Sequence, residues 1–235
     1  MSNFEARYKQ VKQRVMEAAA RGGRDPSAII IVAVSKTASP EQISEAFQFG
    51  VRDFGENRAQ QLSIRQEMFP EAHWHLIGRL QTNKAKEVID RACLIHSLDR
   101  WQLAEYIEKR AAGFDIKVSA LLQVNVSGEA SKGGVAVSET EEFLDSLHSF
   151  KHLEILGLMT MAPEVENPES VRPVFKELKR LYDILQGKNY ANVDMRYLSM
   201  GMTQDFEVAI EEGANIVRIG RALFPREENE TGGIA

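Results

Sequence analysis

Short, continuously apolar runs alternate along the chain with longer segments whose apolar residues recur at helical spacing. The opening segment carries Phe4, Tyr8, Val11 and Val15 on one face and ends at Gly22-Gly23, which predicts a helix ahead of the first strand. Residues 29–34 are β-branched and apolar almost throughout, the pattern of a strand buried on both faces of a parallel sheet. The next segment starts at Pro40, packs Ile43, Ala46 and Phe47, and closes at Gly50, so it reads as a helix with Pro early and Gly late. Further strands are predicted at 51–54, 74–77, 94–98, 118–126, 153–161, 196–200 and 215–219. From Pro168 onward Val171, Val174, Phe175, Leu178, Leu181 and Leu185 form one helical stripe that Gly187 ends. Ser138 and Glu141 have capping-box spacing ahead of Phe143, Leu144 and Leu147.

This pattern amounts to about eight strand–helix units, the number that closes a parallel barrel. The expected fold is therefore α/β: a single (β/α)8 TIM-type barrel domain over 1–235 with an extra N-terminal helix. An open doubly wound sheet is the competing arrangement, because alternation alone does not demand closure. Residues 162–168 read as a loop rather than a domain boundary. The polar, Gly-rich stretch 226–235 is expected to fray.

Composition narrows the partners. Apolar residues make up 43%, enough for a full core, and the mixed charges leave a formal net charge of −5 without any block of one sign. Nucleic acid and anionic membrane surfaces are thereby poor principal partners. Cys93 is the single cysteine, so neither an internal disulfide nor a thiolate-rich zinc site is available, and a reducing compartment fits. Residues 1–24 are charged throughout and lack the apolar core of a secretory signal, and no run approaches the ~20 apolar residues of a spanning helix. The expected location is the cytoplasm.

In a barrel, reacting groups sit where strands end and the following loops begin. Lys36 follows the first buried strand and Ser35; an amine there is expected to be partly desolvated, which favours the neutral form that attacks an aldehyde. A solvated lysine at a strand end is the plainer alternative. Ser199-Met200-Gly201-Met202-Thr203 joins an apolar strand to a helix carrying Phe206, Val208, Ala209 and Ile210. Gly201 allows close backbone approach, and Ser199 and Thr203 add hydroxyls to an anion cradle. Asp205 would repel such an anion unless it points away, and Thr203 could equally be a simple helix cap. In Arg218-Ile219-Gly220-Arg221, a permanent charge stands inside an apolar strand, which requires a partner, and Gly220 again opens backbone N–H groups. Barrels commonly bind phosphate after strands seven and eight, where both clusters lie. An imine-forming amine, a phosphate cradle and a buried cation suit a phosphorylated aldehyde, but they describe a Schiff-base aldolase as well. Asn57, in Gly55-Glu56-Asn57-Arg58, could join the pocket. His73-Trp74-His75 places two imidazoles on one strand face, packed or pocket-lining rather than metal-binding for want of a third ligand. Residues 128–134, with Lys132, read as a loop over the mouth.

At these residues the sequence resembles the pyridoxal phosphate homeostasis protein family, whose barrel is similar to the N-terminal domain of alanine racemase. The matching segments are Val32-Ala33-Val34-Ser35-Lys36, Phe54-Gly55-Glu56-Asn57, His75-Leu76-Ile77-Gly78 with Gln81, Asn83 and Lys84, and Gly157-Leu158-Met159-Thr160-Met161. Leu198-Ser199-Met200-Gly201-Met202 and Val217-Arg218-Ile219-Gly220 complete the series, in order, over essentially the whole chain. The resemblance implies pyridoxal 5′-phosphate as cofactor, held as an internal aldimine on Lys36. Ser199, Gly201, Met202, Thr203 and Gly220 would surround the phosphate, much of it through backbone N–H groups, with Arg218 facing the pyridine nitrogen and Asn57 near the ring. Thr203 stands where the family usually has Ser, and Pro225 where Gly is common.

Two arguments favour a carrier over a catalyst. Arg218 keeps its own proton and cannot give one to the pyridine nitrogen, so the ring is a weaker electron sink. Racemases of the related family take a second base from a C-terminal β domain, and no counterpart of it is expected here. The expected role is a monomeric carrier in vitamin B6 and amino-acid homeostasis, with other B6 vitamers and pyridoxal-phosphate-dependent apo-enzymes as partners. A racemase-like enzyme using His75 or Tyr197 as base is the alternative; a cofactor-free aldolase and a pure interaction module are further ones.

Overall fold

The computed structural model describes residues 3–129 and 132–225; the expected frayed tail, 226–235, lies outside the described residues, as do two positions of the 128–134 loop. Strands β1 (Ile30–Val34), β2 (Asp53–Glu56), β3 (His73–Leu76), β4 (Leu94–Leu98), β5 (Val118–Asn125), β7 (Leu153–Met159), β8 (Val193–Met202) and β9 (Ile216–Ile219) pair in parallel, each with its neighbour. Two contacts decide closure: β1 pairs with β9 through Val32 and Arg218, and β4 pairs with β5 through Ile95 and Ala120. The sheet is thus a closed eight-stranded barrel, and the open doubly wound arrangement is set aside. A two-residue strand, β6 (Val135–Ala136), adds itself outside the ring to β5. No periodicity announces it, because two residues carry too short a pattern to read.

Helices α1 (Asn3–Arg21), α2 (Pro40–Phe49), α3 (Ala59–Met68), α4 (Trp101–Ala112), α5 (Thr140–Ser146), α6 (Arg172–Gln186) and α7 (Phe206–Glu211) surround the ring. Their apolar stripes and the outward faces of the strands form one continuous core that includes Val15, Ile43, Leu62, Leu103, Phe175 and Phe206. α2 has the expected Pro at its start, a reciprocal Ser39–Gln42 capping box and a left-handed Gly50. The extra helix α1 lies against α7, tied by Arg14 to Glu207 at 3.0 Å, and Phe4 stacks on Phe224. Among the described residues no helix is long and apolar enough to cross a membrane.

Inside the ring there are two kinds of filling. Val32, Leu94, Leu121, Met159 and Ile216 make a small separate apolar cluster. Beside them lie His75, His96, Ser199 and Arg218, all buried.

Some local expectations are corrected. β2 runs two residues later than predicted, because its last residue, Glu56, is buried against Arg65 of α3 and hydropathy alone missed it. The capping box at Ser138 does not form: Ser138 sits in a short 3-10 turn (Val137–Glu139), and the Thr140 hydroxyl donates to the Ala136 carbonyl instead, 3.0 Å away.

Candidate functional site

At the C-terminal end of the barrel strands a cavity of about 930 Å³ opens. Lys36, Asn57, Met202, Thr203, Arg218 and Gly220 line it together, so six of the residues singled out in the sequence converge on one space. Its other charged walls are Arg79, Lys132 and Arg221 against Glu164 and Asp205. In an acidic chain this is a locally cationic hollow, suited to an anion.

Lys36 sits in the turn just past β1, exposed to the cavity and without an ion pair or side-chain hydrogen bond among the described residues. The expected partial desolvation is corrected: the amine stands clear of the packed strand end rather than within it. Its backbone, in contrast, is clamped. Arg65 of α3 donates to the Ser35 carbonyl at 2.5 Å and the Ala38 carbonyl at 2.9 Å, gripping the turn on both sides of Lys36. Glu56, at the end of β2, accepts from both Arg65 and the Ser35 hydroxyl. Glu56 is 1% exposed and Arg65 7%. Burial pushes the Glu56 carboxyl up, and the Ser35 and Arg65 contacts pull only part of the way back. This clamp was not anticipated from the sequence. The available signal was a Glu inside an apolar strand at Phe54-Gly55-Glu56, since a buried carboxylate demands a partner.

Asn57 is exposed at the rim, where the β2 end touches the β3 end. A Cβ on Gly78 would lie 2.2 Å from the Asn57 carbonyl oxygen, so only glycine lets these two ends pack.

On the far wall the structure redistributes the roles. Ser199 is fully buried and does not line the cavity; its hydroxyl lies 2.6 Å from Arg218 Nη1 and 2.9 Å from His96 Nδ1. The expectation that this hydroxyl serves the anion is therefore corrected: it serves the interior. Gly201, with φ +90°, is also buried away from the cavity, and a Cβ there would meet the Ala209 Cβ at 2.6 Å and the Phe206 Cα at 2.8 Å. Its glycine permits α7 to pack on β8 rather than opening the backbone to a ligand. The Met202 amide is likewise taken, by Asp205 Oδ1 at 2.6 Å. That bond turns the Asp205 carboxylate back onto the chain, answering the objection that it would repel an anion. Burial pushes the Asp205 carboxyl up, and the Met202 amide and the Arg218 charge offset part of that. The simple Thr203 cap does not occur either, as Asp205 occupies the cap position of α7. The amides of Thr203, Gln204 and Arg221, in the turns after β8 and β9, have no partner among the described residues and belong to the cavity wall.

Arg218 is 4% exposed. Besides Ser199 Oγ, it donates to the backbone carbonyls of Ser199 at 3.0 Å and Thr160 at 2.9 Å. Its Nε–H has no protein acceptor among the described residues and remains for the cavity. Burial pulls its pKa down to about 10, with the nearby Asp205 charge opposing the shift. The sequence expectation of a partnered cation holds in altered form, with carbonyls and a hydroxyl in contact instead of a carboxylate. His73 and His75 both reach Asp53, at 3.2 and 3.1 Å, and no metal-binding group of three is present among the described residues.

Comparison with known proteins agrees with this geometry. Residues 3–226 match the family described as alanine racemase, N-terminal domain. The pyridoxal phosphate homeostasis protein of Aquifex aeolicus is 46% identical over 220 residues, covering 93% of this chain and 96% of that one. A crystal structure of an unknown protein from Bifidobacterium adolescentis superposes with a TM-score of 0.87 at 32% identity, covering 95% of this chain and 97% of the other. PipY of Synechococcus elongatus, solved with PLP bound, superposes with a TM-score of 0.78 at 31% identity over 89% of this chain and 99% of its own. Closed barrel, lysine turn and sequence identity converge: the chain belongs to the pyridoxal phosphate homeostasis protein family.

Proposed function

We propose that the chain, acting as one binding domain, takes pyridoxal 5′-phosphate into this cavity, joined covalently at Lys36. Its role is then that of a carrier in intracellular vitamin B6 and amino-acid homeostasis, with little or no turnover. The observation that carries the reading is a partnerless Lys36 amine on the same cavity as the spare Nε–H of a buried arginine. The space of about 930 Å³ is ample for a small phosphorylated ligand. When bound, the cofactor supplies an aldehyde that condenses with a primary amine and a ring that withdraws electrons.

The remaining chemistry belongs to the chain. Lys36 provides the attacking amine, held at a constant place by the Arg65 clamp on its backbone. The partnerless amides of Thr203, Gln204 and Arg221 and the Thr203 hydroxyl offer donors to the phosphate, and Gly220 keeps the wall between them low. Arg218 offers a donor to the ring nitrogen while retaining its own proton. Asn57 borders the ring from the β2 side.

Support for a carrier comes from the walls of the cavity. Neither His75 nor Tyr197, the bases on which a racemase-like reading would depend, lines it: His75 lies inside the barrel, and Tyr197 packs against the interior apolar cluster. No other His, Tyr or Cys side chain lines it among the described residues.

Borohydride reduction after mixing with pyridoxal 5′-phosphate, followed by peptide mass spectrometry, should place the adduct on Lys36 and lose it in Lys36→Ala. An adduct on a different lysine alone would refute the assignment. Incubating loaded protein with L-alanine in deuterated water should give at most one deuterated Cα per site; steady accumulation beyond that would establish an enzyme instead.

A further inference from the structure

Beneath the cavity a file of side chains crosses the barrel interior. Arg218 Nη1 meets Ser199 Oγ at 2.6 Å, Ser199 Oγ meets His96 Nδ1 at 2.9 Å, and His96 Nε2 meets His75 Nδ1 at 3.0 Å. His75 Nε2 then meets Asp53 Oδ1 at 3.1 Å, and the exposed His73 approaches the same oxygen at 3.2 Å. Asp53 is the first residue of β2 and Asn57 follows its last, so the file ends about 13 Å of strand away from the cavity rim.

The two ends impose a direction. A guanidinium only donates and a carboxylate only accepts. With Asp53 ionised, His75 donates to it through Nε2 and accepts at Nδ1 from His96 Nε2–H. The bare Nδ1 of His96 then accepts the Ser199 hydroxyl proton, and the Ser199 oxygen accepts from Arg218. Every donor finds an acceptor. With both imidazoles in the other tautomer, a bare His75 nitrogen would face the Asp53 carboxylate. A second proton on His75 would also reverse His96 and strand the Ser199 proton beside the Arg218 cation.

We propose that Asp53 is a positioning residue for Arg218, acting through His75 and His96 to order the protons of this file and so hold the guanidinium at the cavity floor. Only the identity of the ligand that Arg218 meets rests on the cofactor reading above. Burial pushes Asp53 up, but the hydrogen bonds it accepts from His75 and His73 help keep it below the usual carboxylate range. Burial above all, with the Arg218 charge nearby, holds His96 well below the usual imidazole range, so it remains neutral. Tyr8 of α1 and Cys93 ahead of β4 also feel the Asp53 charge, while Asp205 faces Arg218 from beyond β8.

The test is long-range proton–nitrogen NMR on ligand-free, full-length protein labelled with 15N-histidine. At pH 7.5 His75 and His96 should both be neutral with the proton on Nε2. Asp53→Asn, whose amide can donate as well as accept, should move His96 toward the Nδ1–H form, and Asp53→Glu should restore it. His152, held separately by Glu108, serves as the control for folding. A wild-type His96 that already carries its proton on Nδ1, or one unmoved by Asp53→Asn, overturns the proposal, and the wild-type measurement decides even if the variant fails to fold. In the second arm, Asp53→Asn should weaken pyridoxal 5′-phosphate binding about fivefold, the worth of one hydrogen bond, and shift the absorption band of the bound form. Tautomers as expected with no uptake of pyridoxal 5′-phosphate in wild type would sink the cofactor reading and leave the file standing; uptake with the wrong tautomers would do the reverse.

Discussion

Two buried arginines serve opposite sides of the cavity, and they are balanced in different ways. Arg65, behind the Lys36 turn, has the carboxylate of Glu56 in direct contact and spends its other donors on two backbone carbonyls. Arg218, at the cavity floor, touches no carboxylate among the described residues; carbonyls, the Ser199 hydroxyl and two imidazoles in file lead to a distant Asp53. A contacting ion pair makes a rigid clamp, because removing either partner leaves a bare charge in a dry place. The file leaves the cation without a contacting anion among the described residues, so its field and its spare N–H remain available to a ligand. The first arrangement suits the backbone beneath a nucleophile, and the second suits a group that must face a ring.

Replacing Glu56 with Gln strands Arg65 and should cost about 3–5 kcal/mol in denaturant unfolding. Glu56→Gln with Arg65→Met should recover most of that loss; additive costs would show that the two residues do not form a clamp. Arg218→Met abandons no contacting carboxylate and should cost less, about 1–3 kcal/mol from the unpaired Ser199 and Thr160 acceptors. A loss as large as that of Glu56→Gln would erase the distinction between the two sites.

The third expectation concerns pH. The native pKa of His96 lies below the unfolded value of about 6.5. The unfolded chain then binds the additional proton, so stability falls as pH drops below about 6.5, by up to about 1.4 kcal/mol per pH unit. Subtracting the profile of His96→Gln from that of wild type isolates this slope; equal profiles would mean that His96 protonates freely in the folded state. The smallest effect is expected at Thr203→Ala, which removes one hydroxyl from the wall and should weaken pyridoxal 5′-phosphate by about 1 kcal/mol, or fivefold, in a spectroscopic titration. Thr203→Ser should bind like wild type.

The barrel was legible because β1 and β9 are almost uninterrupted apolar segments, β4 and β5 are mostly apolar, and the α6 stripe is regular. β2 was misplaced where Glu56 is buried against Arg65 of α3, since hydropathy counts a paired buried carboxylate as an exposed one. In the site, Lys36, Asn57, Met202, Thr203, Arg218 and Gly220 could be assembled from strand ends alone, because parallel strands deliver their C-terminal ends to one rim. Ser199 and Gly201 were drawn toward the anion because sequence position does not reveal which way a side chain faces across a bulge.

By itself, then, the order of apolar runs determined a parallel α/β barrel, and strand-end positions determined which residues could meet. Only the closed ring decided how their polar atoms are spent. Closure brings β2, β3, β4, β8 and β9 within hydrogen-bond reach around one interior, where Asp53, His75, His96, Ser199 and Arg218 join although they are scattered from position 53 to 218. Such contacts depend on through-space distance and on the direction of each donor, neither of which a linear spacing carries.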